Sequence, residues 1–318
     1  MEMRVILSGC GTFGSVYRQR IVEHKDYELV CVVDKDARIL TTQTSGVIGT
    51  QTLEEAVSNV DADAVIITSP TGTHAQAARY CLENNLHVLC AKPGPQSIED
   101  ANTLAHLSEL HSRACVVDYT MLNTPEVDYI HMVFAAYNAP YFMTSFRDVM
   151  GPPRPEGAVW DLLSHDVASF CEFMPRSIVV SSVKCFADGG GVSAKLFCGD
   201  TLVGELEADY ACQEPLKRVS FDIAAKNTMV NPVVKLWWNQ NYRDVVTRAE
   251  GAEKARQEFG KWPDPITLAL DNFLFEVDAV GRELYLPVQL LFMQDVTRVL
   301  VALQESFEND GLEQTVVV

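Results

Sequence analysis

The 318-residue sequence is short of basic residues: 25 Lys and Arg stand against 43 Asp and Glu, a formal net charge of −18. Such a surface repels phosphate backbones and anionic headgroups, so neither nucleic acid nor a membrane is an expected partner. No run approaches the eighteen consecutive apolar residues that a membrane span needs. The opening MEMRVILSGCGTFG lacks the basic start, apolar middle and small-residue cleavage site of a secretory leader. The nine cysteines have neither metal-ligand nor disulfide-scaffold spacing, and no metal site is expected. Cys31, Cys90 and Cys198 sit inside apolar runs, as small buried hydrophobes do in a reducing compartment, so the expected location is the cytoplasm. Repeats and low-complexity tracts are also missing, which leaves an ordinary globular chain long enough for two domains.

What is present is alternation. Apolar runs at 3–9, 27–34, 62–69, 86–91 and 114–119 read as strands covered on both faces, with helical patterns at 12–24, 53–59, 73–85 and 97–112 between them. That order predicts βαβ units wound right-handedly into an α/β doubly wound parallel sheet. Beyond residue 120 the pattern changes: a helix over 158–173 precedes strands near 176–186, 192–199, 202–212, 216–225 and 229–238. Turn signals stand at Asp188-Gly189-Gly190-Gly191 and Gly199-Asp200, and helices near 264–280 and 286–307 close the chain. Glu205, Glu207 and Asp209 alternate with Leu206, Ala208 and Tyr210, the signature of a sheet with one wet and one packed face. Residues 1–120 and 121–318 are therefore expected to form two domains, the second an α+β domain with an open, mostly antiparallel sheet whose last helix can pack back on the first.

Residues 9–14, GCGTFG, fit G-x-G-x-x-G between a strand and a helix, 20 residues before Asp34. In a dinucleotide-binding Rossmann domain Gly9 permits the tight turn, Gly11 lets backbone approach a pyrophosphate, and Gly14 lets helix and strand pack closely. The helix start at Thr12 and Phe13 then offers N–H groups to the phosphates. Asp34 can accept from ribose hydroxyls and would repel a 2′-phosphate, favouring NAD; Lys35 and Arg38 nearby keep NADP open. The competing reading is a structural glycine turn that binds no nucleotide, which the strand–loop–helix context disfavours.

Three further segments resemble the glucose–fructose oxidoreductase / inositol dehydrogenase (Gfo/Idh/MocA) family. VIITSPTGTH at 65–74 resembles its strand-ending segment beside the nicotinamide, HVLCAKP at 87–93 resembles its HVxxEKP with Ala91 for glutamate, and WDLLSHD at 160–166 resembles its Asp-x-x-x-His helix. The resemblance implies catalytic roles for Lys92, Asp161 and His165, and cofactor contacts from the glycine loop, Asp34, Ser69, Pro70, Thr71, His74 and Lys92. Tyr119 and Trp160 are the candidates for substrate contact. It also implies a small-molecule substrate and a homodimer or homotetramer built through the second-domain sheet. Two departures bear on the substrate: Tyr119-Thr120-Met121-Leu122 stands where many relatives carry an aromatic-Asn-Arg-Arg stretch, and only Gly157 remains of a glycine run.

The implied chemistry is oxidation of a secondary hydroxyl on a sugar, cyclitol or related polyol, with a base such as His165 and an ammonium such as Lys92 acting on the hydroxyl. Each residue also has a plainer reading. Periodicity alone groups Asp161 and His165 with Ser164, Ser169 and Glu172 as the solvated stripe of an amphipathic helix. Lys92 alone reads as a solvent-facing residue after a strand, His74 as tidying a helix entrance, and Trp237-Trp238 as sheet packing or one residue toward a partner. At the level of function, a non-catalytic cofactor sensor and a dehydrogenase for a non-carbohydrate diol or imine are the competing classes.

Overall fold

The near-continuous apolar runs of the first 120 residues form strands buried on both faces. β1 (Met3–Ser8), β2 (Tyr27–Val33), β3 (Ile48–Thr50), β4 (Ala64–Ile67), β5 (His87–Ala91) and β6 (Cys115–Asp118) are all parallel, in the order β3-β2-β1-β4-β5-β6. α1 (Thr12–Glu23), α2 (Ala37–Leu40), α3 (Leu53–Asn59), α4 (His74–Glu83) and α5 (Ile98–His111) connect them. Thr52 caps α3 and Ser97 caps α5, each hydroxyl accepting the backbone N–H three residues on. The structure, a computed structural model, describes residues 2–317 except 42–45, 189–190, 225–232, 242, 250–251, 261–262 and 282–287. It separates into one unit of Met1–Asn123 with Pro263–Thr297 and another of Thr124–Trp262 with Arg298–Val318.

The second unit opens with α6 (Pro125–Ala136) and the long β7 (Pro140–Met150), neither of which the sequence reading anticipated. Proline at the first helical position and buried Val127, Ile130, Val133 and Phe134 at helical spacing account for α6. In β7 the buried face carries Ser145 and Arg147 beside Met143, so the apolar alternation is broken by polar residues. A π-turn (Val159–Leu163) runs into α7 (Ser164–Phe173), followed by β8 (Ser182–Asp188), β9 (Gly191–Cys198), β10 (Thr201–Asp209), β11 (Ala211–Ala224), β12 (Val233–Asn239), β13 (Asp244–Ala249) and β14 (Ala252–Glu258). α8 (Pro265–Gly281), α9 (Val288–Glu308) and β15 (Gln314–Thr315) end the chain. Nine strands form one sheet, β14-β13-β12-β11-β7-β10-β9-β8-β15, antiparallel except where β10 meets β7. Of the expected turn at 188–191, Gly189 and Gly190 lie outside the described residues, as do residues 229–232 of the expected strand.

Each face of the first sheet has its own core. Val5, Leu7, Ile66 and Leu89 pack with Tyr17 and Ile21 of α1 and with Ile266, Leu270 and Phe273 of α8. Ile6, Val65, Ile67 and Val88 pack with Leu82 and Leu104 of α4 and α5 and with Leu290 and Met293. The alternation along each strand thus serves two apolar faces, which is why no polar period was visible. In the second unit Leu206, Ala208 and Tyr210 are buried as the strand pattern requires, and Trp238 is fully buried. Cys31 and Cys90 are buried free thiols, whereas Cys198, at the end of β9, is only half-buried. Among the described residues no helix is long and apolar enough to cross a membrane.

Candidate active site

The glycine loop is built by close approach. Gly9 holds φ +90°, and a Cβ there would stand 2.6 Å from the backbone of Ser69; a Cβ on Gly14 would collide with the Gly9 carbonyl. At Gly11 a Cβ would meet nothing within 4 Å, so the loop leaves open space where a phosphate must approach. α1 begins there without a side-chain cap and without an acid in its first turn, unlike α3 and α5, which have both. Gly11, Thr12 and Phe13 are exposed at that uncapped start. Unpaired N–H groups and the positive end of the dipole fit a bound anion.

Asp34 follows β2 and is half-buried. Its carboxylate accepts the N–H of Cys10 at 2.8 Å and that of Asp36 at 2.9 Å, so it braces the glycine loop from the neighbouring strand end. Arg38 lies against Asp36, with Nη2 at 2.6 Å, and holds that carboxyl down to about 2.

Beyond β4, Ser69 and Thr71 are half-buried and Pro70 exposed. The Ser69 hydroxyl pairs with Thr73 at 2.7 Å. His74 starts α4 at 2 % exposure, its Nε2 2.7 Å from the Ser69 carbonyl and its Nδ1 2.8 Å from the Pro93 carbonyl. The ring is therefore a strut joining the 69–73 loop to the Lys92–Pro93 turn that leaves β5, whose peptide bond is cis. Lys92 is half-buried at the carboxyl end of a parallel strand, the side on which ligands bind in such sheets. Tyr119, after β6, is buried with its ring edge-on to Phe292.

In the second unit Asp161 lies within the π-turn and His165 in the first turn of α7, both half-buried. Tyr210, just past β10, donates its phenol to Asp161 Oδ2 at 2.8 Å; burial and that carboxylate push the phenol well above its ordinary range. Trp160 is buried. The solvated-stripe reading of this helix fails, because Ser164 and Ser169 are buried and Ser169 donates back to the His165 carbonyl at 2.9 Å. Asp166 is fully buried and takes both Nε and Nη2 of Arg147 on β7 at 2.9 Å, with Gln240 at 3.2 Å from the same guanidinium. That clamp fixes α7 against the sheet beside His165. Sequence reasoning missed both Tyr210 as a partner of Asp161 and the Arg147–Asp166 pair. Asp166 stood inside the WDLLSHD segment without a role, and a tyrosine on the packed face of a strand gives no sign that its hydroxyl meets an acid.

Residues 3–119 match the Gfo/Idh/MocA model, described as an oxidoreductase family with an NAD-binding Rossmann fold. That match covers the parallel-sheet domain, a little over a third of the chain, and there the chain is similar to NAD-binding oxidoreductases. Among its relatives, the 4-carboxy-2-hydroxymuconate-6-semialdehyde dehydrogenase of a Sphingobium species is 26% identical over 197 residues, 57% of this chain and 62% of that enzyme. The UDP-N-acetylglucosamine 3-dehydrogenase of Acidithiobacillus ferrooxidans is 24% identical over 69% of this chain and 71% of its own length. The chain thus spans about two thirds of the length of these two relatives. In fold it superposes on the scyllo-inositol dehydrogenase of Lactobacillus casei, solved with NAD(H) and scyllo-inositol, with TM-score 0.79, 16% identity and 99% of each chain covered.

Proposed function

We propose that this chain transfers a hydride between NAD and a secondary hydroxyl, or the matching ketone, of a sugar, cyclitol or related polyol. The observation that carries the reading is the strut made by His74, which ties the loop beside Gly9 to the turn bearing Lys92 at the ligand end of the parallel sheet. The open space at Gly11 and the uncapped start of α1 hold the pyrophosphate, and Asp34 takes the ribose. Asp34 favours NAD over NADP, and Arg38, engaged by Asp36, is not poised to reverse that preference. Ser69, Pro70 and Thr71 line the nicotinamide side. When bound, NAD supplies the hydride acceptor. Lys92 stabilises the developing alkoxide, His165 takes the hydroxyl proton, and Asp161 orients the donor.

The names of relatives acting on scyllo-inositol and on UDP-N-acetylglucosamine support a polyol or sugar substrate. A non-carbohydrate hydroxyl is the second reading, favoured by the muconate-semialdehyde relative and by Met121 and Leu122 where sugar-active relatives often carry arginines. Tyr119 and Trp160 remain the proposed substrate contacts. The nine-stranded sheet serves as the homodimer or homotetramer surface: Asp148, Glu205, Glu207 and Asp209 occupy one part of its outer face, and Arg218, Lys235 and Arg248 flank Trp237 on another. Buried free thiols support a reducing compartment, the cytoplasm.

The test is reduction of NAD+ and NADP+ across a panel of inositols, sugars, sugar phosphates, nucleotide sugars and cyclic diols. Turnover of a neutral polyol with NAD+ is the expected result. Tight NADH binding with no turnover on any member would give the lead to the sensor reading.

A further inference from the structure

β5 and β6 end side by side. Ala91 and Asp118 are register partners on these parallel strands, so their Cβ atoms project from the same face of the sheet, and both residues are buried. In the segment that resembles HVxxEKP, position 91 carries alanine in place of the acid. The acid stands one strand over, at the paired position.

Its surroundings are specific. The Asp118 carboxylate accepts the phenol of Tyr17 from α1, the hydroxyl of Thr120 at 3.1 Å and the amide of Asn123 at 2.8 Å. Asn123 in turn accepts from Asn272 of α8 at 2.8 Å. Tyr17 is fully buried and packs edge-on to Phe13 in the first turn of the glycine-loop helix, ring centroids 5.3 Å apart. Burial pushes Asp118 up to about 6, outweighing the three donated hydrogen bonds, which favour the charged form. An asparagine there could accept at only one of the two atoms that these donors meet, so the site calls for a carboxylate.

We propose that Asp118 is a positioning residue of the cofactor site, a carboxylate moved from the end of β5 to the end of β6. Through Tyr17 it fixes the start of α1, and through Thr120 and Asn123 it fixes the exit of β6 beside the Lys92 turn. The glycine loop and that turn are thereby held at one spacing. The inference rests on the NAD-binding reading of the glycine loop.

The probe is NADH, its affinity read by fluorescence titration alongside circular dichroism and the thermal midpoint of each variant. Asp118→Asn and Tyr17→Phe each weaken NADH binding about tenfold, and the double variant is no weaker than either. Asp118→Ala loses at least as much, and adding Ala91→Glu brings the affinity back to within about threefold of wild type, which a purely structural hub would not allow. Wild-type affinity in Asp118→Asn, losses that multiply in the double variant, or a folded Ala91→Glu/Asp118→Ala protein that binds no better than Asp118→Ala would each overturn the proposal. If the relocated pair does not fold, the Tyr17 and Asp118 cycle decides alone. A wild-type protein that binds no NADH sinks the cofactor reading itself, a different outcome from any of these.

Discussion

Tyr210 donates its phenol to Asp161 Oδ2 across 2.8 Å, tying the end of β10 to the π-turn that precedes α7. π-turns recur at functional sites because they shift side chains out of helical register. Here the shift belongs to the turn that carries Asp161. A hydrogen bond to a carboxylate contributes about 1.5–3 kcal/mol. Tyr210→Phe is therefore expected to lower kcat about tenfold with little change in KM. In an Asp161→Ala background the same change should cost nothing further. Steady-state kinetics on the four proteins checks this, and additive losses would mean that Tyr210 acts elsewhere.

The Arg147–Asp166 pair is buried at both ends, with side-chain exposures of 3% and 1%. Removing one partner of such a pair leaves an uncompensated charge and costs about 3–5 kcal/mol. Arg147→Met is expected to lose that much in denaturant unfolding, while Arg147→Met with Asp166→Leu recovers most of it. Turnover should stay low in the double variant, because the clamp beside His165 is gone. A single variant as stable as wild type would contradict the assignment.

Asp118 predicts a pH dependence. Its folded value is about 6 against an ordinary 3.8, so the fold favours the protonated form. Stability from this group is complete below about pH 4 and is lost as the pH rises through 6, roughly 3 kcal/mol in all. Asp118→Asn cannot ionise. Its Tm relative to wild type should move in the variant's favour between pH 4.5 and pH 7.5, as read by calorimetry, and an unchanged gap would show the carboxylate is not buried as described.

Cofactor preference follows from Asp34. NAD(H) should bind more tightly than NADP(H), and Asp34→Ser should narrow or invert the gap. Because Asp34 also accepts the N–H of Cys10, that variant should lose some affinity for both cofactors. Isothermal titration decides, and wild-type protein that prefers NADPH would point to Lys35 or Arg38 holding the phosphate.

The first unit was legible because its physics is local and repetitive: apolar runs, helical periods and a glycine loop that only a close backbone approach explains. β3 escaped because three edge residues carry no period, and α6 because its proline start was not read as a first helical position. β7 escaped because Arg147 and Ser145 face inward, and β14 because every residue in it is exposed. As candidate catalytic residues, Lys92, Asp161 and His165 were reachable only through resemblance to a family; for the helix, periodicity alone pointed to a solvated stripe, which burial of Ser164 and Ser169 overturns. The strut by His74, the pairing of Tyr210 with Asp161 and the register of Ala91 with Asp118 were invisible, since each depends on which elements lie next to each other.

We propose that Lys92 and His165 act on the hydroxyl that NAD oxidises. The measurement is turnover of the best polyol from the panel by Lys92→Ala and His165→Ala, with NADH affinity and Tm recorded for each. Loss of a positioned acid–base group typically lowers the rate by about 10²–10⁴. A loss of that size is expected in both variants, with folding intact and NADH still bound. Full activity in His165→Ala, or equal turnover by Lys92→Ala and wild type, would contradict it.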